Sequence, residues 1–152
     1  MSLRIAGFLM VFLVSLLSVE AGSARVIKVL PHYLDLKGRH TLSPSLYERD
    51  AYQVQLRNNP DQVSTIRFDI NWSARGIKED NLKMKIEVRG SETSTGEIVV
   101  IEESNLKKGF LESWAKIKAD REAYKKIGKV VSWKVTIFDG DTEIAHSQSF
   151  LW

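Results

Sequence analysis

Two stretches of strict alternation constrain this chain more than any other feature. In Ser64–Ala74, Ile66, Phe68, Ile70 and Trp72 share one parity, and Thr65, Arg67, Asp69, Asn71 and Ser73 share the other. Leu82–Arg89 repeats the pattern, with Leu82, Met84, Ile86 and Val88 set against Lys83, Lys85, Glu87 and Arg89. Successive side chains of a strand point to opposite faces, so each run predicts a strand with one face to bury and one to leave in water. Neither apolar row can be buried by its own strand. Facing sheets follow.

The carboxy-terminal stretch Val130–Trp152 adds a hairpin. Two runs rich in β-branched and aromatic residues flank Asp139-Gly140, a strong short-range turn signal. With those two residues as the turn, Trp133 is expected opposite His146 and Val135 opposite Ile144 on the apolar face. Thr136, Glu143, Lys134 and Ala145 then take the polar face.

The remaining elements are read from period and punctuation. Arg25–Leu30 predicts a strand stopped by Pro31, with His32–Leu36 continuing as an extended edge and Lys37-Gly38 as a turn. Ser45 and Glu48 have capping-box spacing, and Tyr47, Ala51 and Val54 recur at helical spacing before Asn58-Asn59-Pro60, so a helix is expected over 44–57. Gly90–Gly96 reads as a polar turn and Glu97–Ile101 as a strand. Phe110–Ile117 fits neither period cleanly and is placed as a strand; Ala119, Ala123 and Ile127, followed by Gly128, predict a short helix. Seven strands and two connecting helices make a mainly β, antiparallel sandwich.

Residues 1–24 have the layout of a secretory signal: Arg4, the apolar run Ile5–Val19, then small residues that suit cleavage after Ala24 or after Ala21. A retained anchor is the alternative, but a membrane span needs about twenty apolar residues. This run is shorter and is interrupted by Ser15 and Ser18. The expected product is one secreted or periplasmic domain over 25–152, with no transmembrane span. The absence of cysteine excludes disulfides, thiolate catalysis, cysteine metal sites and lipid attachment at a cleavage-site cysteine.

The net charge of +3 is unevenly spread. Residues 107–134 carry nine Lys or Arg against three acids. Lys107, Lys108, Lys118, Arg121, Lys125 and Lys126 are therefore a candidate basic surface for an anionic partner, with an ordinary solvated face as the plainer reading. A nucleic acid is not expected.

Motifs for chemistry are absent. His32 and His40, with Asp35 between them, lack metal-ligand spacing and read as surface loop histidines, while His146 reads as a half-buried core residue. Gly-x-Ser-x-Gly, Ser-x-x-Lys and a Gly-rich phosphate loop are all missing. The pairs Glu79-Asp80 and Glu102-Glu103 lie in or beside turns. Asp139, Asp141 and Glu143 have the 1, 3, 5 spacing of a calcium loop, but positions 6 and 12 are Ile144 and Phe150 where glycine and glutamate are required. No catalytic residue, metal or cofactor is expected. Among the four tryptophans, Trp72 and Trp133 fall on apolar strand faces; Trp114 and Trp152 remain as candidates for an exposed sugar-stacking pair.

The strand count, and a helical turn just before the penultimate strand, resemble the immunoglobulin-like or fibronectin-like superfold, with Trp72 and Trp133 filling an interior that has no disulfide. The runs L-P-H-Y-L-D-L-K-G-R-H and S-L-Y-E-R-D-A-Y-Q and the ending S-F-L-W are similar to small exported bacterial proteins of unassigned function. Such a resemblance implies a fold and names no activity. The expectation is an exported, non-catalytic module that binds a protein, a glycan or an anionic surface. Alternatives are a carbohydrate-binding module using Trp114 and Trp152, a small outer-membrane barrel ending on an aromatic residue, and a hydrolase built on the histidines.

Overall fold

The computed structural model of the chain describes residues 22–152. The expected signal segment lies outside the described residues except for its last three positions. Among the described residues there are seven strands: β1 (Ser23–Asp35), β2 (Val63–Arg75), β3 (Leu82–Gly90), β4 (Val99–Glu103), β5 (Ser113–Lys118), β6 (Val130–Asp139) and β7 (Thr142–Gln148). Helix α1 (Leu46–Asn58) lies between β1 and β2, and α2 (Arg121–Ile127) between β5 and β6. The strands form two antiparallel sheets, ordered β1-β2-β5 and β4-β3-β6-β7.

The two alternating runs supply the core. Ile66, Phe68, Ile70 and Trp72 of β2, and Leu82, Met84, Ile86 and Val88 of β3, are all fully buried, joined by Val135 and Ile137 of β6. Each sheet thus presents one apolar face to the other, as its period requires. Trp133 is partly buried and packs against this core. Among the described residues, no helix is long and apolar enough to cross a membrane.

Pro31 does not stop the first strand. β1 runs through it, pairing Pro31 with Phe68, because β1 is an edge strand and its missing N–H is tolerated there. The fourth strand starts two residues later than expected, at Val99, and the ambiguous segment settles as β5 from Ser113.

The hairpin register also differs. Asp139 pairs with Thr142, so the turn residues are Gly140 and Asp141, with Gly140 at φ +61°. Glycine in the first turn position takes the left-handed backbone without Cβ strain. Beyond Phe138–Glu143 the register slips by one residue, so Ile137 pairs with Ala145 and Thr136 with His146. A one-residue bulge moves later side chains to the opposite face. Ile144 and Ala145 therefore both reach the core, whereas His146 is exposed on the outer face with Nδ1 2.7 Å from Glu143 Oε1. Trp133 lies opposite Ser149, whose hydroxyl accepts its N–H at 3.0 Å. The expected Trp133–His146 core pair does not form.

Both helices obey their capping signals. Ser45 caps α1, accepting the Glu48 N–H at 3.5 Å, and Asp120 caps α2, accepting from Ala123 N–H. Gly128 ends α2 at φ +62°. Helix α1 is docked by two buried side chains: Leu56, which enters the core, and Gln53, which behaves as a substitute strand. Its Oε1 accepts the Tyr33 N–H at 2.8 Å, and its Nε2 donates to the carbonyls of Tyr33 at 2.9 Å and His40 at 2.8 Å. Replacing Gln53 with Leu would leave those buried backbone groups without partners, so Gln53→Leu is expected to cost about 1–3 kcal/mol in urea unfolding. Val54→Ala, on the exposed side of the same helix, should stay within about 0.5 kcal/mol.

Candidate functional site

Two polar assemblies involve the end of the sandwich that carries the helices. The first sits on the outer face of the three-stranded sheet, where the polar parity of β2 projects away from the core. Arg67 grips Asp69 with two parallel bonds, Nε–Oδ1 at 2.6 Å and Nη2–Oδ2 at 2.8 Å. His32 Nε2 lies 3.6 Å from the same carboxylate, and the His40 ring is 5.0 Å from that of His32. His32 and Asp69 are buried, because the loop after β1 folds back over the sheet. The two histidines are thus neither apart nor free surface residues, contrary to their reading as loop histidines.

That loop is fixed by Asp35. Its carboxylate accepts the backbone N–H groups of Lys37 and Arg39, the Arg39 Nε–H and the Tyr52 hydroxyl, each at 2.8 Å. Burial opposes its charge, but these donors hold the carboxyl well below the usual range. Burial also lowers the His32 pKa, against the pull of Asp69, and lowers that of His40, aided by the nearby Arg67. Both imidazoles are neutral at pH 7. Among the described residues, no Ser or Thr hydroxyl is hydrogen-bonded to either ring, and no group of three His, Asp or Glu is arranged to hold a metal ion. The assembly is a fastening for the loop.

The second assembly is concave. A cleft of about 400 Å³ opens between the end of α1, the start of β2 and the segment from α2 to β6. Tyr33, Leu56, Val63 and Tyr124 form its floor. Its rim holds four cations, Arg57, Arg121, Lys125 and Lys129, against the acids Asp61 and Glu92. None of these cations makes an ion pair among the described residues. The Tyr33 hydroxyl accepts the Val130 N–H at 2.9 Å, which ties the two sheets together beneath the cleft. Burial raises the pKa of both tyrosines, so their hydroxyls stay protonated. A protonated phenol beside unpaired cations is a donor-rich lining, suited to an anion.

The residues singled out from sequence are divided by the fold. Arg121 and Lys125 line the cleft; Lys118 and Lys126 are exposed on the neighbouring segment. Lys107 and Lys108 lie at the opposite end, where Lys108 Nζ donates to the Ile77 carbonyl at 2.6 Å. Trp114 is half-exposed on β5 beside Asn71. Trp152 is partly buried, with its ring 4.1 Å from the Arg89 guanidinium at the far end of the other sheet. These tryptophans do not form one platform. Tyr33, Arg57, Tyr124 and Lys129 complete the cleft and were not foreseen as a group, since they come from four separate elements or connections. No protein-family model, curated protein or solved structure matches the chain.

His32, which is buried, and His40, which is partly buried, impose a pH dependence. Their pKa values are lower folded than unfolded, so the unfolded chain binds more protons as pH falls below 6.5, and stability falls with pH. Asp35 adds a second loss lower down, because protonation below its ordinary 3.8 removes the charge that its donors require. The urea midpoint should decline from pH 7 to about pH 5. His32→Gln/His40→Gln should flatten that slope.

Proposed function

We propose that this chain is an exported immunoglobulin-like β-sandwich that binds, without chemically altering, an acidic saccharide unit in the cleft between α1 and α2. The strand order supports the fold reading, with a three-stranded sheet β1-β2-β5 facing a four-stranded sheet β4-β3-β6-β7. The observation that carries the ligand reading is the set of four cations without ion-pair partners around a tyrosine-lined hollow. A hollow of about 400 Å³ suits one or two sugar rings better than a protein surface. The partly exposed Tyr124 takes the apolar side of a ring, and Arg57, Arg121, Lys125 and Lys129 take its carboxylate or sulfate. Export is motivated by the amino-terminal pattern. Cleavage after Ala21 suits the fold better than cleavage after Ala24, since Ser23 and Ala24 already pair with Arg75 and Ala74.

Calorimetric titration with tri-galacturonate, against neutral maltotriose, tests this reading. The acidic trisaccharide should bind and weaken with added salt; Arg57→Ala/Arg121→Ala should reduce affinity at least about tenfold, given the strength of hydrogen bonds to charged groups. Lys107→Ala/Lys108→Ala, at the other end of the sandwich, should leave binding intact. Equal binding of both sugars, or of neither, refutes the proposal.

A further inference from the structure

The sheet orders leave β4 and β5 at the edges of their respective sheets. The opposite edges close on each other, because β1 packs against β7 and β6. β4 and β5 therefore lie together on the other side of the sandwich. A lateral groove there is lined by Glu103 and Leu106 on one flank and by Trp114–Ile117 on the other. An edge strand presents a row of backbone donors and acceptors that can template another strand.

Three observations say what this side fits. First, it carries four of the thirteen exposed large apolar side chains among the described residues: Val100 on β4, Trp114 on β5, and Phe110 and Leu111 just before β5, with Phe110 95% exposed. Secondly, the two edges carry opposite charge. The outward positions of β5 are Trp114, Lys116 and Lys118, whereas β4 offers Val100 and Glu102 outward, with Glu103 at its end. Pairing β5 with another β5 would set lysine against lysine, and β4 with β4 would set glutamate against glutamate; only β5 with β4 is complementary. Thirdly, the directions agree. β2 ends and β3 begins at the same end of the sandwich, across the short connection 76–81, so the two strands run in opposite senses. β5 is antiparallel to β2 and β4 to β3, which makes β4 and β5 antiparallel to each other.

We propose that this side is a homodimer interface: β5 of each copy pairs with β4 of the other about a two-fold axis parallel to the strands. That rotation exchanges the two sheets while keeping strand ends level, so both ladders form at once. The result is two continuous sheets in the order β1-β2-β5-β4-β3-β6-β7, each drawn from both copies, with Phe110 and Leu111 brought towards the axis. Short charged edges commonly protect a monomer. Here the opposite signs of the two edges repel wrong pairings and permit this one.

Sedimentation velocity on the full chain, purified as its host processes it, should show a dimer that dissociates on dilution and with salt. Lys116→Glu/Lys118→Glu and Val100→Lys/Glu102→Lys should each be monomeric with an unchanged circular dichroism spectrum, their self-affinity lowered at least about tenfold. Mixed in equal amounts, the two variants should recover the dimer, because each reversed edge then meets its complement. A wild-type monomer at every concentration, a dimer indifferent to both reversals, or a mixture that stays monomeric would each overturn the proposal.

Discussion

The structure depends on the contact between two rows of side chains. Ile66, Phe68, Ile70 and Trp72 face Leu82, Met84, Ile86 and Val88, and none of the eight retains exposed surface. Burying a large apolar side chain is worth about 1.5–3 kcal/mol, so these two rows outweigh any single polar contact in the molecule. They also organise the topology. β2 is flanked by β1 and β5, and β3 by β4 and β6, so four of the other five strands hang directly on the pair. The connection 76–81 is short because it needs only to carry the chain from one sheet to the other.

This dependence explains what could be read in advance. The rows of β2 and β3 were legible because alternation is a local property and burial on one face follows from it. The caps Ser45 and Gly128 were legible for the same reason, each answering a need of its own helix terminus. Register was not. The hairpin turn sits one residue later than the Asp-Gly step suggests, and a bulge near Ile144 then sends His146 outwards. A bulge serves tertiary demand, here the packing of both Ile144 and Ala145 against the core, and has no signature in the order of residues. Pro31 misled for a related reason: proline forbids a central ladder bond, but nothing local to it says that β1 is an edge.

The cleft was less legible still. Arg121 and Lys125 were visible as part of a basic run, yet Lys107 and Lys108 in that same run end at the other end of the sandwich. Charge density along a chain marks a site only where the chain stays together. The partners of Arg121 are Arg57, from a helix more than sixty positions earlier, and Tyr33, from the first strand. What assembles them is the docking of α1 through Gln53 on Tyr33 and of the α2–β6 junction through Val130 on the hydroxyl of that same tyrosine. Tyr33 thus joins both helical connections to β1 and forms the cleft floor, a role that its place in an irregular-looking run did not disclose.

The two proposals meet in the symmetry of the assembly. An axis parallel to the strands leaves each end of one copy level with the same end of the other. The cleft opens at the end bearing α1 and α2 and shares no lining residue with the groove between β4 and β5, so pairing would bring two clefts to one face. A single cleft of this size, fringed by exposed cations, is suited to weak and salt-sensitive binding. Two on one face can engage successive units of an acidic polymer. The second contact is then intramolecular, with an effective concentration on the order of millimolar for a span that fits. In that arrangement a small cysteine-free sandwich would gain retention on an extended acidic chain from edge pairing rather than from a deeper pocket.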